Sequence, residues 1–468
     1  MPRTTRIALL ALVALIAGAA VYVTTGRSST SKPSAASVTS GSVSTTADPP
    51  SSTTSTTAAP PPVWRIVWGS TMAWGYGEID NATVRQLATV KTAGSEIRFR
   101  VSNYFGNAPL QIGAATVAPS AGGSAIDASA AHQATFNGSP TTVIPVGGLA
   151  YTDPIPMPVT GGETLAISLW VSGADLVTLH PCCGTTPQGW FTANGRGNTT
   201  AAANMVGFGT PSPWWRFVDA VDALQTTGRG SIVVIGDSIT DGFNSSARWT
   251  DILQERVDHL PPDQRVAIIN EAITANALTA PPGVHTDALT GGGPPGVERL
   301  QRDVLSQAGV SEVVMLLGTN DLWFGATAAE VIAGYQQAIS QAHAAGLPIV
   351  AMTLLPRATD TDEYWSPADQ ANLIAVDNWI RTSGAFNAVI DTARVAADVY
   401  NGQCNPTAMF PPFDSGDHLH PDAAGQTAIA NFIQPAVLGL PPLPTVPPLV
   451  PATPTPGCSF APTNQSTP

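Results

Sequence analysis

Two textures of hydrophobic patterning divide the chain. From Val63 to about Leu224, apolar and polar positions alternate. Ile97, Phe99 and Val101 point one way and Arg98 and Arg100 the other, and Leu165, Ile167, Leu169 and Val171 repeat the pattern. Period-two alternation marks a strand with one face on a core. Turn residues separate the runs, as at Asn107-Ala108-Pro109, Gly147-Gly148 and Gly161-Gly162, and no long helical period intervenes. The pattern predicts an antiparallel β-sandwich, jelly-roll-like, over residues 63–225. From Gly230 short apolar runs appear instead: Ile232 to Ile235, Val266 to Ile269, Val313 to Leu317, Ile349 to Leu354 and Val389 to Ile390. Amphipathic stretches lie between them, including Trp249 to His259, Val331 to Ala344 and Asn372 to Ile380. Strand–helix alternation predicts an α/β domain over 228–436, a parallel sheet with helices on both faces.

The two ends carry a different message. Arg3 and Arg6 precede a continuous apolar run of 17 residues, Ile7 to Val23, and Ala17-Gly18-Ala19 supplies small residues of the cleavable type. Residues 1–24 are therefore expected to be a signal peptide or an uncleaved signal anchor, with the rest of the chain exported. Residues 28–62 are almost wholly Ser, Thr, Pro and Ala, a composition that buries too little apolar surface to offset its ordering entropy. A disordered stalk is expected there. A proline-rich tail is expected over 437–468, tied down only by Cys458.

Charge narrows the function further. With 20 basic against 33 acidic side chains the net charge is −13, and no Lys/Arg stripe exists to neutralise phosphates, so nucleic acid is excluded as a partner. The four cysteines, Cys182, Cys183, Cys404 and Cys458, have none of the spacings of a zinc site, and no metal or other cofactor is expected. Two arrangements stay open for them in an exported chain. Either Cys404 joins Cys458, leaving Cys182 and Cys183 as a vicinal pair, or a bridge crosses between the domains. His180 has no second histidine or acidic cluster near it in sequence, and reads as a satisfied loop histidine.

In parallel sheets ligands bind beyond the carboxyl ends of the strands. The first apolar run leads into Gly236-Asp237-Ser238-Ile239-Thr240, the third into Gly318-Thr319-Asn320-Asp321, and the last helix follows Asp414-Ser415-Gly416-Asp417-His418-Leu419-His420-Pro421. A serine just past a strand can present its hydroxyl to a crevice, or merely cap a turn. An asparagine there can donate to an oxyanion or cap its own turn. An aspartate three residues before a histidine can hold Nδ1–H and leave Nε2 free to take a serine proton.

In order and placement these blocks resemble the GDSL/SGNH hydrolases, whose hallmarks are a GDS serine, a glycine, a GxND asparagine and a DxxH pair. Where the glycine is expected this chain has Ala275, within Asn270-Glu271-Ala272-Ile273-Thr274-Ala275-Asn276. The resemblance covers about 230–433. It implies a flavodoxin-like three-layer α/β/α domain that hydrolyses esters, with Ser238 as nucleophile, His420 as general base and acid, and Asp417 orienting it. It also implies an oxyanion hole formed by the N–H groups of Ser238 and Ala275 and the Asn320 side-chain amide. His418 is the rival base, but it immediately follows Asp417 and would have to fold back on it. Asp237 and Asp321 read as loop-holding residues. Trp323 and Phe324 are candidates for the substrate wall, with a place in the core as the alternative.

The β-rich front domain resembles the accessory domain of secreted bacterial members, and it lacks a serine–histidine constellation of its own. The expected activity is an exported esterase acting on acyl groups, acetyl-type, of carbohydrate. The alternatives are a lipase or short-chain lipid esterase, and a weakened cell-envelope binding protein. The expected partner is an ester substrate, with membrane anchoring only through the N-terminal segment.

Overall fold

The computed structural model describes residues 61–173, 175–181, 186–280, 292–357 and 365–458. The leader, the stalk up to residue 60 and the Cys182-Cys183 pair lie outside the described residues. The alternating region folds into antiparallel sheets. Strand Val63–Gly69 pairs with Val218–Gln225, which pairs with Ile97–Ser102 and through it with Leu149–Tyr151. A larger sheet is centred on Thr164–Val171, flanked by Ala82–Thr89 and Leu110–Gly122. A three-stranded sheet joins Trp74–Ile79, Asp175–His180 and Trp215–Arg216. Ile97, Phe99, Val101, Leu165, Ile167, Leu169 and Val171 share one buried cluster, as their alternation predicts.

The polar face of that alternation is not turned to water. Arg100 is 3% exposed and its Nε donates to Asp219 Oδ1 at 2.7 Å. A buried guanidinium needs such a partner, since an unpaired charge there costs several kcal/mol. Charges of the following half, Glu271 among them, act on the same pair, because the two halves pack together. Ile66 N donates to Ala308 O at 2.8 Å, and Ser231 Oγ donates to Ile66 O at 2.6 Å. Lys91 Nζ meets Asp251 Oδ1 at 3.0 Å across the same junction.

The second half is a five-stranded parallel sheet: β1 (Ser231–Gly236), β2 (Ile268–Asn270), β3 (Val310–Leu316), β4 (Ile349–Met352) and β5 (Ala388–Ile390). The strand order is β2-β1-β3-β4-β5, a doubly wound order whose crevice opens between β1 and β3. Every residue of β1 and β4 is buried, which explains why these strands read as continuous apolar runs. Helices Ala328–Ala344 and Pro367–Thr382 begin with full capping boxes, Thr327 with Glu330 and Ser366 with Asp369. Helix Ala423–Phe432 follows the Asp/His loop, capped by Asp422.

The tail is held by more than a cysteine. Cys404 and Cys458 form a disulfide. In addition Arg256 Nε donates to Pro444 O at 2.7 Å, Asn431 Nδ2 donates to Val446 O at 2.9 Å, and Leu438 and Leu440 are buried. Proline removes donors but leaves carbonyls, so side chains of neighbouring helices supply the hydrogen bonds.

Candidate active site

Three loops at the carboxyl ends of the strands converge. The first leaves β1 through Gly236, where a Cβ would lie 2.5 Å from the Thr240 side chain, so the close turn admits only glycine. Ser238 opens a one-turn helix, Ser238–Asp241, whose N-cap Asp237 accepts from Ile239 N at 3.0 Å. The Ser238 N–H is thereby left unused by the helix. Ser238 is 6% exposed.

The loop before helix Ala423–Phe432 brings His420 to it. His420 Nε2 lies 2.8 Å from Ser238 Oγ, and His420 Nδ1 lies 2.6 Å from Asp417 Oδ2. The carboxylate is fully used: its Oδ1 accepts from the backbone N–H groups of Leu419 and His420. Burial alone would raise the Asp417 carboxyl, but the hydrogen bond and charge of His420 and these N–H groups hold it well below the usual carboxylate range. An ionised Asp417 fixes the proton on Nδ1 and leaves Nε2 as an acceptor facing the serine hydroxyl. A hydroxyl in that setting can give up its proton as it attacks an electrophile.

His418 takes no part in this chain. It turns away with φ of +59°, and its Nδ1 pairs with Asp414 Oδ2 at 2.7 Å. A neighbour of Asp417 cannot reach back to it, whereas Asp414 lies four residues earlier across the same turn.

The third loop follows β3. Gly318 has φ of +126°, a conformation open to glycine, and it delivers Asn320 on the short helix Thr319–Trp323. Asn320 Nδ2 donates to Asn276 O at 2.8 Å, which uses one amide proton and leaves the second for another acceptor. Asp321 accepts from Leu278 N at 2.7 Å and from Thr279 N at 2.8 Å, tying this loop to the one after β2.

Ala275 sits on that loop with φ of +63°. This is the left-handed region that favours glycine, and an alanine there is strained. Its neighbours keep it in place. Thr274 N and Oγ1 both donate to Asp241 Oδ2, while Asn276 Nδ2 donates to Gly292 O and Pro294 O. Arg299, 1% exposed, donates to Asn276 Oδ1, Glu271 O and Gly236 O, joining the serine loop and the alanine loop from behind.

Trp323 and Phe324 are both half-buried, their rings 5.2 Å apart, and Trp323 also packs on the main core. Two residues outside the sequence reading join the site. The Phe243 ring lies 4.9 Å from the His420 ring, and Asn244 Nδ2 donates to Asp417 Oδ2 at 2.8 Å. Both follow Gly242, whose left-handed conformation ends the serine helix. Their signal in sequence is only that of residues after a turn. Among the described residues no group of His, Cys, Asp and Glu could hold a metal ion.

The family model described as GDSL-like Lipase/Acylhydrolase matches residues 234–428. No curated protein matches the chain. Solved structures similar to it include a catalytic mutant of an acetylxylan esterase from Geobacillus stearothermophilus, 17% identical, covering 46% of this chain and 98% of its own at a TM-score of 0.35. The lipase/acylhydrolase from Enterococcus faecalis is 20% identical, with 43% and 92% covered and a TM-score of 0.34. A carbohydrate acetylesterase from Sinorhizobium meliloti is 16% identical, with 43% and 94% covered and a TM-score of 0.32. Residues 234–428 thus match a GDSL-like lipase/acylhydrolase domain, the domain of an ester-hydrolysing enzyme.

Proposed function

We propose that the chain is an exported serine esterase that removes small, acetyl-type acyl groups from carbohydrate. The observation that carries the mechanism is the hydrogen-bonded chain from Ser238 Oγ through the His420 ring to Asp417. Ser238 Oγ attacks the ester carbonyl carbon while His420 Nε2 takes the hydroxyl proton. The carbonyl oxygen becomes an oxyanion held by the N–H groups of Ser238 and Ala275 and by the free Asn320 amide proton. Collapse breaks the bond to the alcohol oxygen, which leaves with the proton from His420 Nε2. Water then attacks the acyl-serine as it gives a proton to His420 Nε2, and collapse releases the carboxylic acid while Ser238 Oγ takes that proton back.

The choice of substrate rests on the walls of the crevice. Phe243, 4.9 Å from the His420 ring, offers an aromatic face of the kind that stacks on sugar rings, and Trp323 and Phe324 follow Asn320 closely along the chain.

The test is a screen of purified protein on acetylated polysaccharide and on p-nitrophenyl esters of increasing acyl length. Activity should be greatest on acetyl esters and should extend to the polysaccharide. Ser238→Ala should lower kcat by about 10⁴-fold or more. A preference for long acyl chains would overturn the carbohydrate reading, and near-normal turnover by a folded Ser238→Ala protein would overturn the mechanism.

A further inference from the structure

Two buried polar groups meet where the β-rich half packs on the α/β half. His180 ends strand Asp175–His180 and is 3% exposed. Its Nδ1 lies 2.8 Å from Thr71 O. A carbonyl only accepts, so Nδ1 carries a proton. Nε2 on the other side of the ring faces Asp241 Oδ1 at 3.5 Å, a pairing that attracts only when Nε2 carries a proton as well, with the ring as imidazolium. Asp241 is 2% exposed and ends the helical turn that Ser238 begins. Its second oxygen receives both donors of Thr274, the residue before Ala275. Burial pushes the Asp241 carboxyl up, but His180, Thr274 and Arg248 hold it below its usual value.

The histidine itself is firmly placed. Thr71 belongs to the turn 70–73, whose Ser70 N donates to Asp219 O at 3.1 Å and whose Ala73 N donates to Leu179 O at 2.9 Å. Arg302 Nη2, from the α/β half, donates to Met72 O at 3.0 Å in the same turn. His180 thus connects a fixed turn of the front half to the carboxylate that restrains the Ala275 loop.

An alanine in the left-handed region keeps that conformation only where its surroundings over-determine it. After Ala275 the restraint comes from Asn276, and before it from Asp241 through Thr274. We propose that His180 is a positioning residue for ester hydrolysis: acting through Asp241, it fixes Thr274 and so the direction of the Ala275 N–H. The front half then does more than accompany the catalytic half, because it supplies one anchor of the oxyanion loop. The inference rests on the reading of Ala275 as an oxyanion donor.

The test uses the full chain and p-nitrophenyl acetate. His180→Asn keeps an amide near Thr71 O but cannot reach Asp241, whereas His180→Gln places an amide N–H toward Asp241. His180→Asn should lower kcat about tenfold with KM within about twofold, since a misdirected donor costs less than a deleted one. His180→Gln should recover most of that loss. Thr274→Val acts on the same line, so the double variant with His180→Asn should be little worse than the poorer single variant. If His180→Asn does not fold, His180→Phe, which keeps ring volume beside Trp215, takes its place in the cycle.

Normal kcat in a folded His180→Asn protein, a loss confined to KM, or losses that multiply in the double variant would each overturn the inference. Asn320→Ala is measured beside them. Near-normal turnover there would sink the oxyanion reading itself. Collapse there, with unchanged His180→Asn, would sink only the role of His180.

Discussion

Asn244 Nδ2 and His420 Nδ1 share one acceptor, Asp417 Oδ2, at 2.8 and 2.6 Å. The asparagine therefore fixes the carboxylate in the plane where it meets the imidazole. It is exposed, and Asp417 keeps two backbone donors without it. A solvent-screened hydrogen bond to a charged group is worth at most about 1 kcal/mol, so Asn244→Ala should lower kcat by about fivefold or less. Steady-state kinetics on p-nitrophenyl acetate decide it. A loss as large as that of Asp417→Ala would mean that Asn244 touches the substrate.

The loop holds two Asp–His pairs, Asp414 with His418 and Asp417 with His420, and only the second reaches Ser238. His420→Ala should therefore cost about 10³-fold in kcat or more. His418→Ala should stay within about threefold of wild type, a bound set by the absence of any bond from His418 to the serine among the described contacts. Its cost should fall on melting temperature instead, since Asp414 loses its partner. The reverse ranking in kcat would place the base on the wrong histidine.

How much of this could be read from the sequence depended on the range of the interaction. The parallel strands were legible because the inner ones are buried over most of their length and so read as apolar runs. Ser238 and Asn320 stood at the ends of such runs, where α/β sheets keep their chemistry, and the Asp417–His420 pair stood just before the last helix. Arg100 was harder. Alternation gave its face correctly, but a face that is polar in sequence can still be covered, and here it carries a buried ion pair with Asp219 at the junction of the halves. His180 and Asp241 are 61 positions apart, and no local pattern links a strand-end histidine to a helix-end aspartate. The anchoring of the tail was missed for a similar reason, because Arg256 reaches the Pro444 carbonyl from a helix 188 positions earlier. The left-handed turn at Ala275 showed only as the place where the resemblance expects a glycine, since alanine itself gives no sign of it.

Asp237 predicts a pH dependence of stability. It is 1% exposed, and burial, with the charge of Asp321 adding to it, pushes its carboxyl up to about 7 against the Ile239 hydrogen bond that lowers it. In the unfolded chain an aspartate loses its proton near pH 3.9. Between about pH 4 and pH 7 the folded state therefore binds a proton that the unfolded state does not, and the stability contribution of Asp237 falls as pH rises through that window. Asp237→Asn keeps the acceptor for Ile239 N and cannot titrate. The melting temperature of the variant, relative to wild type, should climb from about pH 4.5 to pH 7.5 and then level off. A difference that is constant over this range would show that Asp237 is already ionised at acid pH.

In the proposed oxyanion hole, Ala275 is a donor that depends on backbone direction and Asn320 one that depends on a side chain. At φ of +63° an alanine bears about 1–2 kcal/mol of strain, which glycine would not. Glycine also frees the unfolded chain, at a cost of about 0.5–1 kcal/mol. The two terms leave Ala275→Gly about 0.5–1 kcal/mol more stable, visible as a small rise in melting temperature. The N–H remains, and the bonds of Thr274 and Asn276 still aim it, so kcat should change by no more than about threefold. Asn320→Ala removes a donor outright and also releases Asn276 O, so kcat should fall by about 10² to 10³-fold. The loss should appear in kcat with KM little changed, because an oxyanion exists only beyond the ground state. A large gain in activity from Ala275→Gly, beside a small loss from Asn320→Ala, would instead mean that the alanine methyl group obstructs the hole and that the asparagine only braces the loop.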